Sequence, residues 1–339
     1  MAFDFGTLFG IRRATTVGLD IGSSQISLVE LANVGGRMYV EAWATEALPL
    51  GAVVDGNVVQ AEQVAEVIKR VWCSSGTRTR QVVLGMPSAF VLNATMPCPG
   101  HFPEDILEQY VEEEAGRHIP FPLDEVYLDF AIVGSAADTA EIKLIAARKE
   151  QLDIRMAATK AAGLNPVVMD VESHAACAAI SHATHEKYRG KTIGLLRVTD
   201  DVLHVSVLRD GSIIYEREQR YRQELVLRNA PGDDAFQHVE NRASDSSGIN
   251  DAVPAICMLL EHCAAALSPA RIELVLLAGN GEHLSGLSES IGKHVRFPLA
   301  VAHPFAGMSS GAKVKGMPSL SQAATFLVAC GLALHGGNA

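Results

Sequence analysis

The sequence contains no pair of cysteines at the spacing of a zinc site or a redox motif. Its cysteines, at positions 73, 98, 177, 257, 263 and 330, include no C-x-x-C pair and form no cluster with histidine. The chain therefore lacks the pattern of a zinc module. We expect the cysteines to be reduced thiols of a cytoplasmic protein.

Positive charge is also scarce. The chain carries 28 basic against 39 acidic residues, a formal net charge of -11. Nucleic acid and anionic lipid would both be repelled by this excess of negative charge. We therefore expect no nucleic-acid partner, and the charge also works against nonspecific binding to anionic lipid, although local basic patches could exist.

No hydrophobic run is long enough for a membrane span. The longest, AATFLVACGLAL at 323–334, falls short of the ~20 residues required and predicts a buried helix instead. At the N-terminus, Asp4 interrupts the apolar start and Arg12 and Arg13 follow it, which is not the order of an export signal. We expect no direct insertion into a membrane.

The sequence does contain alternating strand and helix patterns. Its 339 residues, 48% of them hydrophobic, are enough for about two domains. From residue 17 the pattern reads βββαβ, which predicts an α/β fold. We predict an N-terminal arm at 1–16, a first lobe at 17–87 and 151–190, an inserted α+β module at 88–150 and a second lobe at 191–339.

The start of the second lobe repeats the start of the first. Placing Arg197 over Asp20 puts Leu203 over Ile26, Val205 over Leu28 and Leu208 over Leu31. This match suggests two hairpins of the same design, one in each lobe. The alternative is that the match reflects only the alternation common to any hairpin.

The hairpin VGLDIGSSQISLVEL at 17–31 has the residues of a phosphate-binding turn. Backbone N–H groups of Gly22, Ser23 and Ser24 could hold an anion because glycine allows close approach of the main chain. Asp20 could reach a phosphate-bound magnesium ion through water. The alternative, a tight D-x-G-S-S turn with no ligand, remains open.

A second glycine-containing turn lies in AGNGEHLSGL. Gly279, Asn280 and Gly281 separate a predicted strand from a predicted helix, and would let a flat purine lie against the backbone. An ordinary strand-to-helix turn is the alternative.

Several segments occur in the order seen in the PilM family, the actin-like proteins of type IV pilus assembly. They include VGLDIGSSQISLVEL, EEEAGRHIPFPLDEVYLDF, VVMDVESHAA, AGNGEHLSGL and VACGLAL. The IPFPLDEV stretch is the most specific, because it resembles this family rather than actin, Hsp70 or sugar kinases. The FtsA family is the nearest competing resemblance, but the chain end ACGLALHGGNA does not resemble FtsA's amphipathic membrane-targeting helix.

This resemblance implies an actin-like (ribonuclease-H-like) two-lobed ATPase fold with a small α+β subdomain inserted in the first lobe. It implies ATP with Mg²⁺ between the lobes, with the first hairpin turn on the phosphates and metal, and the second glycine turn beside adenine. Asp20 would be the metal residue.

The resemblance also implies a partner. PilM-like proteins hold the cytoplasmic tail of the inner-membrane protein PilN in a groove beside the insert, and join a cytoplasmic ring to the inner-membrane alignment complex. Glu114 and Phe121 are the residues that the family pattern places near this groove. Phe121 could instead belong to the core.

One departure from the family pattern bears on activity. The second phosphate hairpin usually reads D-I-G, whereas this chain has Arg197, Val198 and Thr199. A cation in place of a carboxylate argues against metal-assisted hydrolysis. The adaptor interpretation is therefore preferred over the alternative of an active ATPase or small-molecule kinase, which would need an intact second phosphate loop.

Overall fold

The computed structural model describes residues 14–99, 104–136, 139–184, 187–199, 202–220, 252–268, 271–279, 284–311, 314 and 316–335. The first-hairpin residues, Gly279, Glu114 and Phe121 fall within these ranges. Asn280 and Gly281 lie outside the described residues, as do residues 1–13 of the predicted arm.

The described strands and helices follow the predicted alternation. The strands are β1 (Ala14–Ile21), β2 (Gln25–Val34), β3 (Arg37–Ala47), β4 (Val53–Val54), β5 (Asn57–Val58), β6 (Gln81–Met86), β7 (Val91–Pro99), β8 (Val126–Ala136), β9 (Thr139–Arg148), β10 (Asn165–Val171), β11 (Thr192–Val198), β12 (Val202–Arg209), β13 (Ser212–Arg220), β14 (Leu274–Gly279), β15 (Leu299–Val301) and β16 (Ser309–Ser310). The helices are α1 (Ala61–Ser75), α2 (Glu104–His118), α3 (Lys149–Ala161), α4 (Glu172–Thr184), α5 (Val253–Ala266), α6 (Leu284–Gly292), α7 (Leu320–Ala323) and α8 (Leu327–His335).

Two sheets have corresponding strand orders. The first runs β3-β2-β1-β6-β10, with β16 added beside β3, and the second runs β13-β12-β11-β14-β15. In each, an antiparallel three-stranded meander continues into parallel strands: β6 and β10 beside β1, and β14 and β15 beside β11. The central strands β2 and β11 are buried on both faces, as expected where helices cover a sheet on both sides.

The predicted duplication of the hairpins is confirmed by their register. Asp20 pairs with Ser27 across β1 and β2, and Arg197 pairs with His204 across β11 and β12. One residue further along, Ile21 pairs with Ile26, as Val198 pairs with Leu203. Asp20 and Arg197 therefore occupy equivalent positions in the two sheets.

Helices α4 and α8 pack closely against each other and against the first sheet. A Cβ at Gly331 of α8 would overlap the carbonyl oxygen of Ala175 in α4, and one at Gly18 of β1 would overlap that of Ala329. Residues 327–333 of α8 are all buried, which confirms the predicted buried helix. The end of the chain thus returns to the first sheet.

The insert has its own small core. Its sheet has the order β7-β9-β8, and α2 covers one face. The buried side chains of this core are Met96, Cys98, Leu107, Val111, Ala115, Ile119, Ile142, Leu144 and Ala146. In the described part of the chain, no helix has the length and apolar character needed to cross a membrane.

The close packing of α8 generates a stability prediction. We expect Gly331→Ala to lower the free energy of unfolding by about 1–3 kcal/mol, because the added methyl group meets backbone that cannot move cheaply. Urea denaturation would measure the change. Gly286→Ala is the matched control, since a Cβ there meets nothing within 4 Å and alanine is the better helix former by up to about 1 kcal/mol. Equal effects of the two substitutions would contradict the packing account.

Candidate functional site

The two hairpin turns have the same hydrogen bond. Gly22 N–H donates to the Gln25 carbonyl at 3.0 Å, and Thr199 N–H donates to the Val202 carbonyl at 3.0 Å. Both turns lie at the carboxyl ends of parallel strands, which is where ligands bind in open α/β sheets. The Gly22 N–H is thus used within its own turn, and the Ser24 carbonyl accepts from Leu48 N–H at 2.8 Å.

Four charged side chains meet at the ends of these strands. Asp20 and Arg197 are the next-to-last residues of β1 and β11. Glu172 begins α4 directly after β10, and Arg155 lies on α3. We call these four residues the cleft cluster. The Arg197 Nη1 to Glu172 Oε2 distance is 3.8 Å, with the side chains only 8% and 14% exposed. This ion pair joins the second sheet to the helix that follows the first.

The cleft cluster changes the protonation of Asp20. Burial, followed by the nearby Glu172 carboxylate, raises the pKa of Asp20 to about 7, while Arg197 and Arg155 act in the opposite direction. Gly85 of β6 lies between the two acids, since a Cβ there would be 3.4 Å from Glu172 Cγ and 3.7 Å from Asp20 Oδ1. Its missing side chain leaves room for both acids.

Arg155 fixes the main chain beneath the cluster. Its guanidinium donates to the carbonyls of Ile21 at 3.4 Å, Gly85 at 3.2 Å and Gly56 at 2.8 Å. Burial lowers the pKa of Arg155, and Glu172 and Asp20 oppose that effect. This arginine therefore ties two strand ends and the β4–β5 turn to the acid pair.

Arg197 provides the positive charge on the side of the second lobe. Its cross-strand neighbour His204 has a pKa lowered to about 3 by burial and by Arg197, although Glu218 Oε2 lies 3.5 Å from its Nδ1. His204 is therefore neutral at physiological pH. Arg197 Nη2 is buried and has no hydrogen-bond partner within the described ranges.

The cleft cluster does not fit a divalent metal ion. Among the described residues, no three His, Cys, Asp or Glu side chains come close enough to hold one. Glu172 is already paired with the Arg197 guanidinium, and Arg197 and Arg155 both place positive charge beside Asp20, so a cation entering the cluster would be repelled. The Arg197 guanidinium, whose Nη2 has no hydrogen-bond partner among the described residues, is the kind of donor that phosphate oxygens accept from.

The predicted site residues have different surroundings. Asp20 lies in the cleft cluster, and Gly22, Ser23 and Ser24 form the adjoining turn. Gly279 has a φ of 136°, and a Cβ there would overlap the Val198 carbonyl oxygen, so glycine is needed for the approach of β14 to the second hairpin. The assignment of these residues to nucleotide stays a prediction.

Sequence reasoning missed two members of the cluster, Glu172 and Arg155. Glu172 has the signal of an acid that directly follows a parallel strand and starts a helix. Arg155 occupies a core position of α3, in helical register with buried Leu152, Ala158 and Thr159. A lone arginine in such a stripe is unusual enough to indicate a buried ionic role.

A separate exposed surface lies where the insert meets the first lobe. Phe121 is 39% exposed and lies between buried Ile119 and Val126, so it is not a core residue. The Arg148 guanidinium carbon is 5.7 Å from the Phe121 ring centre. On α2, Glu114 is paired with Arg117 of the same helix.

Tyr127 and α3 extend this surface. The Tyr127 hydroxyl donates to Asp153 Oδ1 at 2.9 Å, and Lys149 Nζ lies 5.5 Å from its ring centre. Tyr127 and Ile154 are 44% and 38% exposed. We name as the junction surface the residues Phe121, Tyr127, Arg148, Lys149, Asp153 and Ile154.

A cavity of about 650 Å³ lies elsewhere. It is lined by Thr184, Tyr188 and Ile193 among others, at the far ends of α4 and β11 from the cleft cluster. It therefore belongs to neither the cleft nor the junction surface.

Two duplicated sheets, their facing hairpin turns and the inserted module together define an actin-like ATPase fold. A sequence model described as type IV pilus assembly protein PilM matches residues 18–226 and 250–337. The chain belongs to this family.

Solved structures agree with this assignment. A chain of a "PilM-PilN type IV pilus biogenesis complex" is 25% identical, with a TM-score of 0.74, over 96% of this chain and 99% of that one. The ethanolamine utilization protein EutJ from Carboxydothermus hydrogenoformans is 14% identical, with a TM-score of 0.52, over 95% of this chain and 89% of that one. The second likeness shows the fold alone.

The raised pKa of Asp20 generates a pH-dependent prediction. An acid whose pKa is higher in the folded than in the unfolded chain favours folding at low pH, and this contribution is lost as the pH rises through the folded value, here about 7. Asp20→Asn removes this dependence. The unfolding free energy of the variant minus that of wild type should therefore increase by on the order of 2 kcal/mol as the pH rises from 5 to 8, because only wild type loses the Asp20 contribution.

Urea denaturation of both proteins at the two pH values would measure this gain. Asp124→Asn makes the same chemical change at an exposed position of the insert and is the matched control. A difference between Asp20→Asn and wild type that is the same at pH 5 and pH 8 would contradict the account.

Proposed function

We propose that this protein is a cytoplasmic adaptor of type IV pilus assembly that binds the cytoplasmic tail of a PilN-like inner-membrane protein at its junction surface. The observation that carries the proposal is the exposed Phe121 within IPFPLDEV, held between two buried anchors at the edge of the insert. Family membership and the likeness to a chain of a PilM-PilN complex support it.

The junction surface has the chemistry that an extended tail requires. Phe121, Tyr127 and Ile154 offer exposed apolar area, while Arg148, Lys149 and Asp153 provide charges of both signs beside it. Within the described residues, β8 has a strand neighbour on one side only, so its other edge can pair with an added strand. Extended peptides bind in this way by combining backbone hydrogen bonds with side-chain pockets.

The location and assembly of the protein follow from this partner. Held by a membrane-anchored tail, it would gather at the inner face of the inner membrane as part of the alignment complex. Arrangement as a homo-oligomeric ring would let several weak tail contacts act together through avidity. The groove role of Glu114 belongs to the same proposal, although its ion pair with Arg117 would have to open for direct contact.

ATP hydrolysis is not part of the proposal. An ATPase or kinase of this superfold needs a carboxylate or metal that activates the attacking group. In this chain Arg197 stands at the position equivalent to Asp20, paired with Glu172. The cleft thus has the charge balance of a structural or binding site.

Tail binding can be tested with one substitution. We expect Phe121→Ala to weaken binding of a synthetic peptide of the PilN homologue's cytoplasmic tail by about tenfold, or about 1.4 kcal/mol, since aromatic residues are enriched among the few that dominate the binding free energy of an interface. Isothermal titration calorimetry would measure the dissociation constants.

The control is Met258→Ala. Met258 lies on α5 of the second lobe and is 60% exposed, so its removal takes away apolar surface far from the insert in sequence. It should leave the affinity unchanged. Absence of binding by folded wild-type protein, or equal losses in the two variants, would refute the proposal.

A further inference from the structure

The duplicated hairpins place opposite charges at equivalent positions. Asp20 and Arg197 share the same register in their own sheets, and each lies two residues before the first residue of a turn closed by the same hydrogen bond. A site built from two such acids would have a negative cleft that needs a cation to accept phosphate. Here one of the two positions supplies the cation itself.

The charges of the cleft cluster balance without an added ion. Glu172 pairs with Arg197 at 3.8 Å, and Arg155 lies close enough to oppose the effect of burial on Asp20. A magnesium ion entering this cluster would be repelled by the guanidinium groups of Arg197 and Arg155, which lie beside its carboxylates. The surroundings thus disfavour a metal.

Arg197 also has unused binding capacity. A guanidinium group has five N–H donors, and the Nη2 of Arg197 is buried with no partner among the described residues. A buried donor without a partner is costly, and an anion that accepts from it would remove that cost. Paired guanidinium and phosphate groups form strong, charge-assisted hydrogen bonds.

We propose that Arg197 takes the place of the divalent cation, so that the cleft binds a polyphosphate group directly and independently of Mg²⁺. The ligand is a nucleoside triphosphate or inorganic tripolyphosphate, which share this chemistry. The inference concerns the cleft alone and does not rest on tail binding at the junction surface, so either can fail without the other.

The experiment measures ATP and tripolyphosphate binding by calorimetry, in excess EDTA and in excess Mg²⁺. For wild type, at least one ligand should have dissociation constants in EDTA and in Mg²⁺ that agree to within about threefold. A threefold ratio corresponds to less than half the free energy of a tenfold change. Binding of both ligands assigns the site to phosphate, and binding of ATP alone shows that the base contributes as well.

Two substitutions at Arg197 make the test specific. Arg197→Gln keeps a polar side chain without the charge, and should weaken binding in EDTA by about tenfold or more. Arg197→Asp restores an acid, and Mg²⁺ should then raise its melting temperature while leaving that of wild type unchanged. Arg209→Asp repeats the charge change at the far, exposed end of β12 and should behave like wild type.

Three results would overturn the proposal. These are a strict requirement of wild type for Mg²⁺, the absence of binding by either ligand under both conditions, and equal affinity of Arg197→Gln and wild type. If Arg197→Asp does not fold, as judged by circular dichroism, the glutamine variant decides the question.

Discussion

A carboxylate buried at the end of a strand must be neutralised, and the architecture of the cleft follows from how this is done. Asp20 is the next-to-last residue of β1, at the edge where the parallel strands end, with Glu172 nearby. Two buried acids are tolerated only when protons, metals or cations compensate them. In this protein Arg155 comes from the first lobe and Arg197 from the second, so the compensation also links the lobes. A second ion pair between them, Arg220 with Asp55 at 2.8 Å, lies on the β4–β5 turn whose Gly56 carbonyl binds Arg155.

The parts of the fold that follow from local pattern could be predicted. Alternating apolar residues fixed the register of both hairpins, and the equivalence of Asp20 and Arg197 was visible because register and spacing are preserved together. The buried helix near the C-terminus was equally clear from composition. Phe121 was located near the insert's edge by resemblance, but its exposure required the structure because the flanking Ile119 and Val126 are just as apolar.

The cleft cluster itself could not be predicted, since its members come from four elements far apart in the chain. Arg155 lies on α3 after the insert, and its partners at Ile21, Gly56 and Gly85 are backbone carbonyls, which have no sequence signal. The close approach of α8 to α4 depends likewise on Gly331 meeting the backbone of Ala175. Both features arise from tertiary packing. The insert's core is a cluster of buried side chains separate from the cleft cluster.

The central claim is that Arg197 is held as the charge partner of the acid pair. A double-mutant cycle with Arg197→Gln, Glu172→Gln and the combined variant tests it most directly, with unfolding free energies measured in urea. Because the pair is largely buried at 3.8 Å, the coupling free energy should be favourable and about 1 kcal/mol or larger. Strictly additive effects, within about 0.3 kcal/mol, would contradict the account.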